Sequence, residues 1–112
     1  MKRGEIWWAS MPEPVGSEPA YRRPVIIVSS NEFNQSLIQT VIVAVITSNL
    51  RLANAPANFK LSKASSNLSR DSVANLSQLI TLDKAFLTEN IGKLTTKQVN
   101  LLNDGIKLVL AV

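Results

Sequence analysis

Two stretches of the chain are apolar at nearly every position, Pro24 to Val28 (PVIIV) and Thr40 to Ile46 (TVIVAVI), and both are rich in β-branched residues. Continuous runs of this kind predict strands buried on both faces, and the missing N–H of Pro24 suits the first position of a strand. Gly4 to Ala9 predicts an earlier strand with aromatic β-formers. The turn-rich segment from Ser10 to Arg22 follows it, with Pro12, Pro14, Gly16 and Pro19. Asn31 to Gln35 reads as a turn or short helical piece. ANFKLSK, around residue 60, predicts a strand, SSNLSR a turn, Ser72 to Thr81 a strand bent near Gln78, and Phe86 to Leu94 a short strand. From Thr95 the period changes. Val99, Leu102, Ile106 and Val109 follow helical spacing, and Leu101, Leu108 and Val112 widen the stripe. Thr95 with Gln98 three residues later forms a capping-box signature, so the chain is expected to end in an amphipathic helix. Five or six short strands followed by one helix predict a mainly β protein, a small antiparallel barrel with a C-terminal helix, rather than an alternating βαβ sheet. Barrels of this kind with edges left over often pair or dimerise.

Composition narrows the chemistry. At 112 residues, with 46% apolar and 18% charged positions, one globular domain spanning 1–112 is expected. The opening run Ile6 to Ala9 is too short for a signal-peptide core, and no run approaches the ~18 apolar residues of a membrane span, so the cytosol is the expected compartment. The chain contains neither cysteine nor histidine. That excludes a cysteine hydrolase, a His-activated serine hydrolase and the usual zinc ligand sets, and neither metal nor cofactor is expected. The formal charge of +4 is unevenly placed. No acidic residue occurs from Phe33 to Arg70, while Arg51, Lys60, Lys63 and Arg70 fall within that span. Such a basic surface suits a polyanionic partner, nucleic acid or an acidic protein segment.

Candidate chemistry gathers at two strand mouths. Glu18 and Arg23 flank the start of the PVIIV strand, and Thr47 and Ser48 follow the end of TVIVAVI. If these strands are antiparallel neighbours, Arg23 and Thr47 become adjacent. A carboxylate can take the proton of a ribose 2′-OH, a guanidinium can stabilise the charge that develops on the phosphoryl oxygens, and hydroxyls can orient the rest. The plainer alternative is an ion pair across a turn and a capped strand end, and the residues alone tip modestly towards it.

KRGEIWW, GSE followed by Arg23-Pro24 and PVIIVSS, then VITS, RDSVANLSQLITLDK and IGKLT occur in this order over nearly the whole chain. In this set and spacing the sequence resembles the MazF/PemK family of toxin endoribonucleases. The resemblance implies a homodimer of SH3-like barrels that cleaves single-stranded RNA, chiefly mRNA, at short sequence motifs without a metal. It also implies a cognate antitoxin whose acidic tail covers the RNA groove. On the family pattern Arg23 and Thr47 are catalytic and Glu18 is the candidate for proton transfer; the hydroxyl of Ser48, beside Thr47, is expected to help position the phosphate. Arg22 is assigned to phosphate contact, and Tyr21 either stacks on a base or packs on its turn neighbours. Ser17, Asn49, Arg51, Lys60 and Gln78 complete the RNA-contacting candidates. Asp71, Ser72, Gln78 and Asp83 also fit the pattern as turn and strand supports. Many members carry a glutamine after the glutamate and a glycine two residues before the arginine, where this chain has Pro19 and Tyr21, which stiffen the loop that holds Glu18. Trp7 and Trp8 read as core and interface residues rather than base-stacking platforms, because consecutive strand residues face opposite ways and the pair sits in an apolar stretch.

Two other classes of function share this outline. One is a toxin of the same fold that binds DNA gyrase without catalysis. Its family ends in Trp-Gly-Ile, whereas this chain ends Leu108-Val109-Leu110-Ala111-Val112. The other is a barrel that binds RNA without cutting it.

Overall fold

The computed structural model describes residues 1–11 and 22–112. Six strands, β1 (Glu5–Ser10), β2 (Arg22–Ile27), β3 (Thr40–Thr47), β4 (Phe59–Leu61), β5 (Ser72–Asp83) and β6 (Leu87–Lys93), form one sheet in the order β4-β5-β3-β2-β1-β6. Every pairing is antiparallel. The sheet curls into a half-barrel, and β4 and β6 remain as edges. Three helices complete the described residues, α1 (Asn31–Gln35), α2 (Lys63–Ser66) and α3 (Thr96–Leu110), with 3₁₀ turns at Leu50–Asn54 and Lys84–Phe86. The turn expected over SSNLSR begins as α2, which Ser62 caps by accepting from the Ser65 amide.

The two wholly apolar runs are the central strands β2 and β3, and both their faces are covered. On one face Ile6, Ile26, Ala44 and Ile46 pack with Leu76 and with Leu102 of α3. On the other, Val25, Ile27, Val41 and Val43 pack with Leu82 and Leu87. Double burial explains why these strands show no alternation in sequence.

The bend expected near Gln78 is a bulge. Ala44 pairs with Leu79 but Val45 with Asn75, so three residues of β5, Leu76 to Gln78, face no partner on β3. Side chains satisfy the freed backbone: Asn58 Oδ1 accepts from the Leu76 amide at 2.8 Å and Asn75 Oδ1 from the Ser77 amide at 3.3 Å. The bulge drives Leu76 into the core beneath α3.

Gly105 on α3 is explained by that arrival. A Cβ here would lie inside contact distance of Leu76 Cδ1 and 2.8 Å from the Ala57 carbonyl oxygen. Alanine would gain about 1 kcal/mol of helix propensity, but overpacking costs about 1–3 kcal/mol, and the Ala57 backbone cannot rotate away. Gly105→Ala should therefore lower stability by roughly 1 kcal/mol, read as a lower urea midpoint at unchanged slope. A raised midpoint would show that the Leu76 side chain and the Ala57 backbone yield to the added methyl, and would contradict the tight contact.

At the other end, α3 starts as its sequence predicts. Thr95 Oγ1 accepts from the Gln98 amide, and Gln98 Oε1 accepts from the Thr95 amide. The R-G-E-I-W motif also has a structural role. Gly4 adopts φ +89°, a conformation open to glycine, and ties β2 to the start of α3 by donating to Ile27 O and accepting from the Leu94 amide. Partial burial of the Glu5 carboxyl works to raise its pKa. Hydrogen bonds from the Lys2 amide and the Trp7 indole, with help from the N-terminal charge and Asn90, outweigh that and lower it.

Candidate RNA-binding cleft at the strand ends

Residues Val25, Ile26 and Ile27 of β2 pair with Val45, Ala44 and Val43 of β3. Continued two steps, the same register sets Pro24 opposite Ile46 and Arg23 opposite Thr47. The guanidinium and hydroxyl-bearing residues therefore occupy facing positions where the two central strands end, and both are half-buried. Thr47 Oγ1 accepts from the Asn49 amide at 3.2 Å. With that lone pair occupied, its own O–H is left to donate elsewhere.

Strand alternation separates the arginine pair. Arg22 lies over the Trp8 ring, 5.1 Å from its centroid, and Trp8 pairs with Pro24. Arg23 pairs with Ala9 and belongs to the opposite face. The Arg22 Nη2 also donates to Glu89 Oε2 at 3.3 Å across to β6, an exposed ion pair of the kind that holds weakly.

A cleft of about 640 Å³ opens at these strand ends. Trp8, Arg22, Pro24 and Ile46 line one side, and Leu68, Ser69, Arg70 and Ser72 the other. Arg23, Thr47, Ser48 and Asn49 border it where β2 and β3 terminate. Among the described lining residues there are three guanidiniums and no carboxylate. Arg70 and Ser69 enter from the segment between α2 and β5, which Asp71 secures by accepting from the Lys63 amide at 2.7 Å. Among the described residues, no group of His, Cys, Asp and Glu side chains is placed to hold a metal ion.

Of the residues singled out in the sequence, the cleft brings together Arg22, Arg23, Thr47, Ser48 and Asn49. Ser17, Glu18 and Tyr21 lie outside the described residues. Arg51 is exposed on the 3₁₀ turn after Asn49 and does not line the cleft. Lys60 pairs with Val73, which pairs with Thr47. It thus shares a sheet face with Thr47 at two strand spacings, roughly 10 Å. Gln78 is outside the cleft, in the bulge, where its Oε1 accepts from Asn75 Nδ2 at 3.1 Å. Asp71, Ser72 and Asp83 do act as supports: Ser72 Oγ donates to Arg70 O, and Asp83 caps the Lys84–Phe86 turn.

Two wall residues escaped the sequence reading. Arg70 was visible only as one charge in the acid-free span. Trp8, expected in a core or an interface, is half-exposed and lines the cleft, while its neighbour Trp7 packs against the Val25–Val43 core. Alternation correctly places the two tryptophans on opposite faces. It does not reveal that one face is uncovered at that point.

The family described as PemK-like, MazF-like toxin of type II toxin-antitoxin system matches residues 2–110. Endoribonuclease MazF6 of Mycobacterium tuberculosis is 42% identical over 110 residues, covering 98% of this chain and 96% of the relative. Endoribonuclease MazF of Staphylococcus saprophyticus is 35% identical over 112 residues, covering 100% and 92%. Among solved structures, an endoribonuclease in complex with its cognate antitoxin, from a Mycobacterial species, has a similar fold with a TM-score of 0.80 at 20% identity, covering 100% of this chain and 96% of the other.

Proposed function

The chain belongs to the PemK-like, MazF-like toxin family of type II toxin-antitoxin systems, and we propose that it is an endoribonuclease cutting single-stranded RNA at short sequence motifs by a metal-independent mechanism. The observation that carries this reading is the facing placement of Arg23 and Thr47 at the ends of β2 and β3, beside a cleft lined by cations.

In the reaction, the ribose 2′-OH attacks the adjacent phosphorus. Its proton passes to the carboxylate of Glu18, the P–O5′ bond breaks, and the leaving oxygen takes up a proton to become a 5′-OH. The other product carries a 2′,3′-cyclic phosphate, or the 3′-phosphate formed from it by hydrolysis. Arg23 neutralises the charge on the nonbridging oxygens of the phosphorane, where a guanidinium can offer two parallel donors. Thr47 donates its free O–H to the same group and Ser48 steadies it. No imidazole is needed at any step.

The same cationic border suits an antitoxin with an acidic tail, which would compete with RNA for the cleft. A homodimer is favoured by the apolar positions that α3 leaves in solvent, Leu101, Leu108, Val109 and Leu110.

Incubation of the purified protein with a long RNA in EDTA should release discrete fragments with 5′-OH ends and cyclic or 3′-phosphate ends. Replacing the 2′-OH by hydrogen at a mapped scissile position should abolish the cut there, because the nucleophile is gone. Cleavage that persists in the deoxy substrate overturns the mechanism, and an intact RNA in both lanes overturns the activity.

A further inference from the structure

Arg23 and Thr47 account for one edge of the cleft but not for the side away from them, where Trp8 and Arg22 form one wall and Arg70 stands on the other. We propose that this side is a nucleobase subsite. Trp8 serves there as a stacking platform for a base flanking the scissile phosphate, and Arg22 and Arg70 hold the phosphates to either side of it. The proposal rests on the RNA-cleaving reading above and assigns to it a second point of grip.

The occupant follows from the lining. The volume, about 640 Å³, falls within the range of small-molecule sites and accommodates a nucleotide. The half-buried Trp8 ring sits on a strand paired to β2 on one side and β6 on the other, and the Arg22 guanidinium lies over its face at 5.1 Å from the centroid. Pro24 and Ile46 extend the apolar floor. Among the described residues no carboxylate lines the cleft, and Arg70 makes no ion pair. An aromatic floor flanked by guanidiniums is the arrangement used for single-stranded nucleic acid, since every base has a π face and every nucleotide a charge.

Arg22 acts as a cover. With no RNA bound, its guanidinium occupies the Trp8 face and pairs with Glu89. Exposed ion pairs are weak, so an incoming base displaces the guanidinium at little cost, and Arg22 exchanges one anion for another by moving from Glu89 to a phosphate. Arg22 and Arg23 are consecutive on β2 and face opposite ways, yet both line the one cleft, so a single strand lying in it meets both guanidiniums.

The test is a kinetic and binding comparison of the wild type with Trp8→Ala and Trp8→Phe, each first checked for an unchanged melting profile. On a substrate containing a mapped cleavage site, Trp8→Ala should raise KM roughly ten-fold or more with kcat changed far less, and Trp8→Phe should recover most of the loss. An abasic nucleotide at one flanking position should impose the same penalty on the wild type and no further penalty on Trp8→Ala. An unchanged KM in Trp8→Ala, or an abasic penalty equal in both proteins, overturns the subsite. Should the wild type cut nothing, the nuclease reading fails, and anisotropy of a labelled, uncleavable 2′-O-methyl RNA pool decides the subsite by itself. Weaker binding by Trp8→Ala sustains it, and equal binding removes it. If Trp8→Ala weakens capture of an acidic peptide but not of RNA, the surface belongs to a protein partner and the proposal falls.

Discussion

Arg23→Ala should reduce RNA cleavage by roughly 10³-fold while leaving the fold in place, because removing one preorganised donor to a developing oxyanion costs about 10²–10³ in rate and removing a guanidinium from a phosphoryl transition state can cost more. The loss should fall on kcat, since the charge it stabilises is greatest in the phosphorane. Arg23→Lys should recover part of the rate, keeping the charge but losing the planar pair of donors. Arg22→Ala supplies the contrast. It removes a cation from the Trp8 face of the sheet, so its effect should appear mainly in KM and in the salt dependence of binding. A cleavage assay on one RNA, with melting curves as the folding control, checks all three. If Arg23→Ala cuts at the wild-type rate, the facing pair on β2 and β3 is not the reaction centre.

Leu102→Ala should be the most damaging of the helix substitutions. Leu102 is fully buried from α3 into the core shared with Ile6, Ile26 and Leu76. Truncation there costs about 2–5 kcal/mol through lost transfer energy and an unfilled cavity, lowering the melting midpoint by roughly 10–20 °C. Leu108→Ala, one and a half turns along, removes as many atoms from a side chain that is 63% exposed, and its cost should stay within about 0.5 kcal/mol. A Leu108→Ala effect that grows with protein concentration would show a second copy of the chain covering that part of the helix. Equal losses for the two leucines at every concentration would contradict the burial described.

That contrast also marks how far the sequence could be read. The stripe from Val99 to Val112 announces a helix and its apolar side correctly, and the capping box places its first residue. Hydrophobic spacing says which side is apolar but not what covers it, and so Leu102 and Leu108 look alike until the sheet is in place. The buried strands were legible for a related reason: β2 and β3 are covered on both faces, and covering both faces leaves an unbroken run of Val and Ile. The facing of Arg23 and Thr47 needed only the assumption that these two runs are antiparallel neighbours. The cleft as a whole had no local signature, because its walls come from positions near 8, 23, 47 and 70, brought together by a sheet order in which β5 lies next to β3. Trp8 shows the limit clearly. Its side of β1 was predictable from alternation with Ile6, which is fully buried; that the cover ends between the two residues was not.

Placing the two arginines side by side on β2 ties the functional layout to a reading frame of single residues. One residue inserted or deleted between Arg23 and Val25 would keep the Val25–Val45 pairing with β3 yet shift the register of Arg22 and Arg23 against β1 by one step and exchange the sides on which the guanidiniums emerge. Most length changes in a protein of this size threaten folding first. Here a one-codon indel would leave the β2–β3 ladder in place while the chemistry points the wrong way, and variation at this spot should be confined to substitutions.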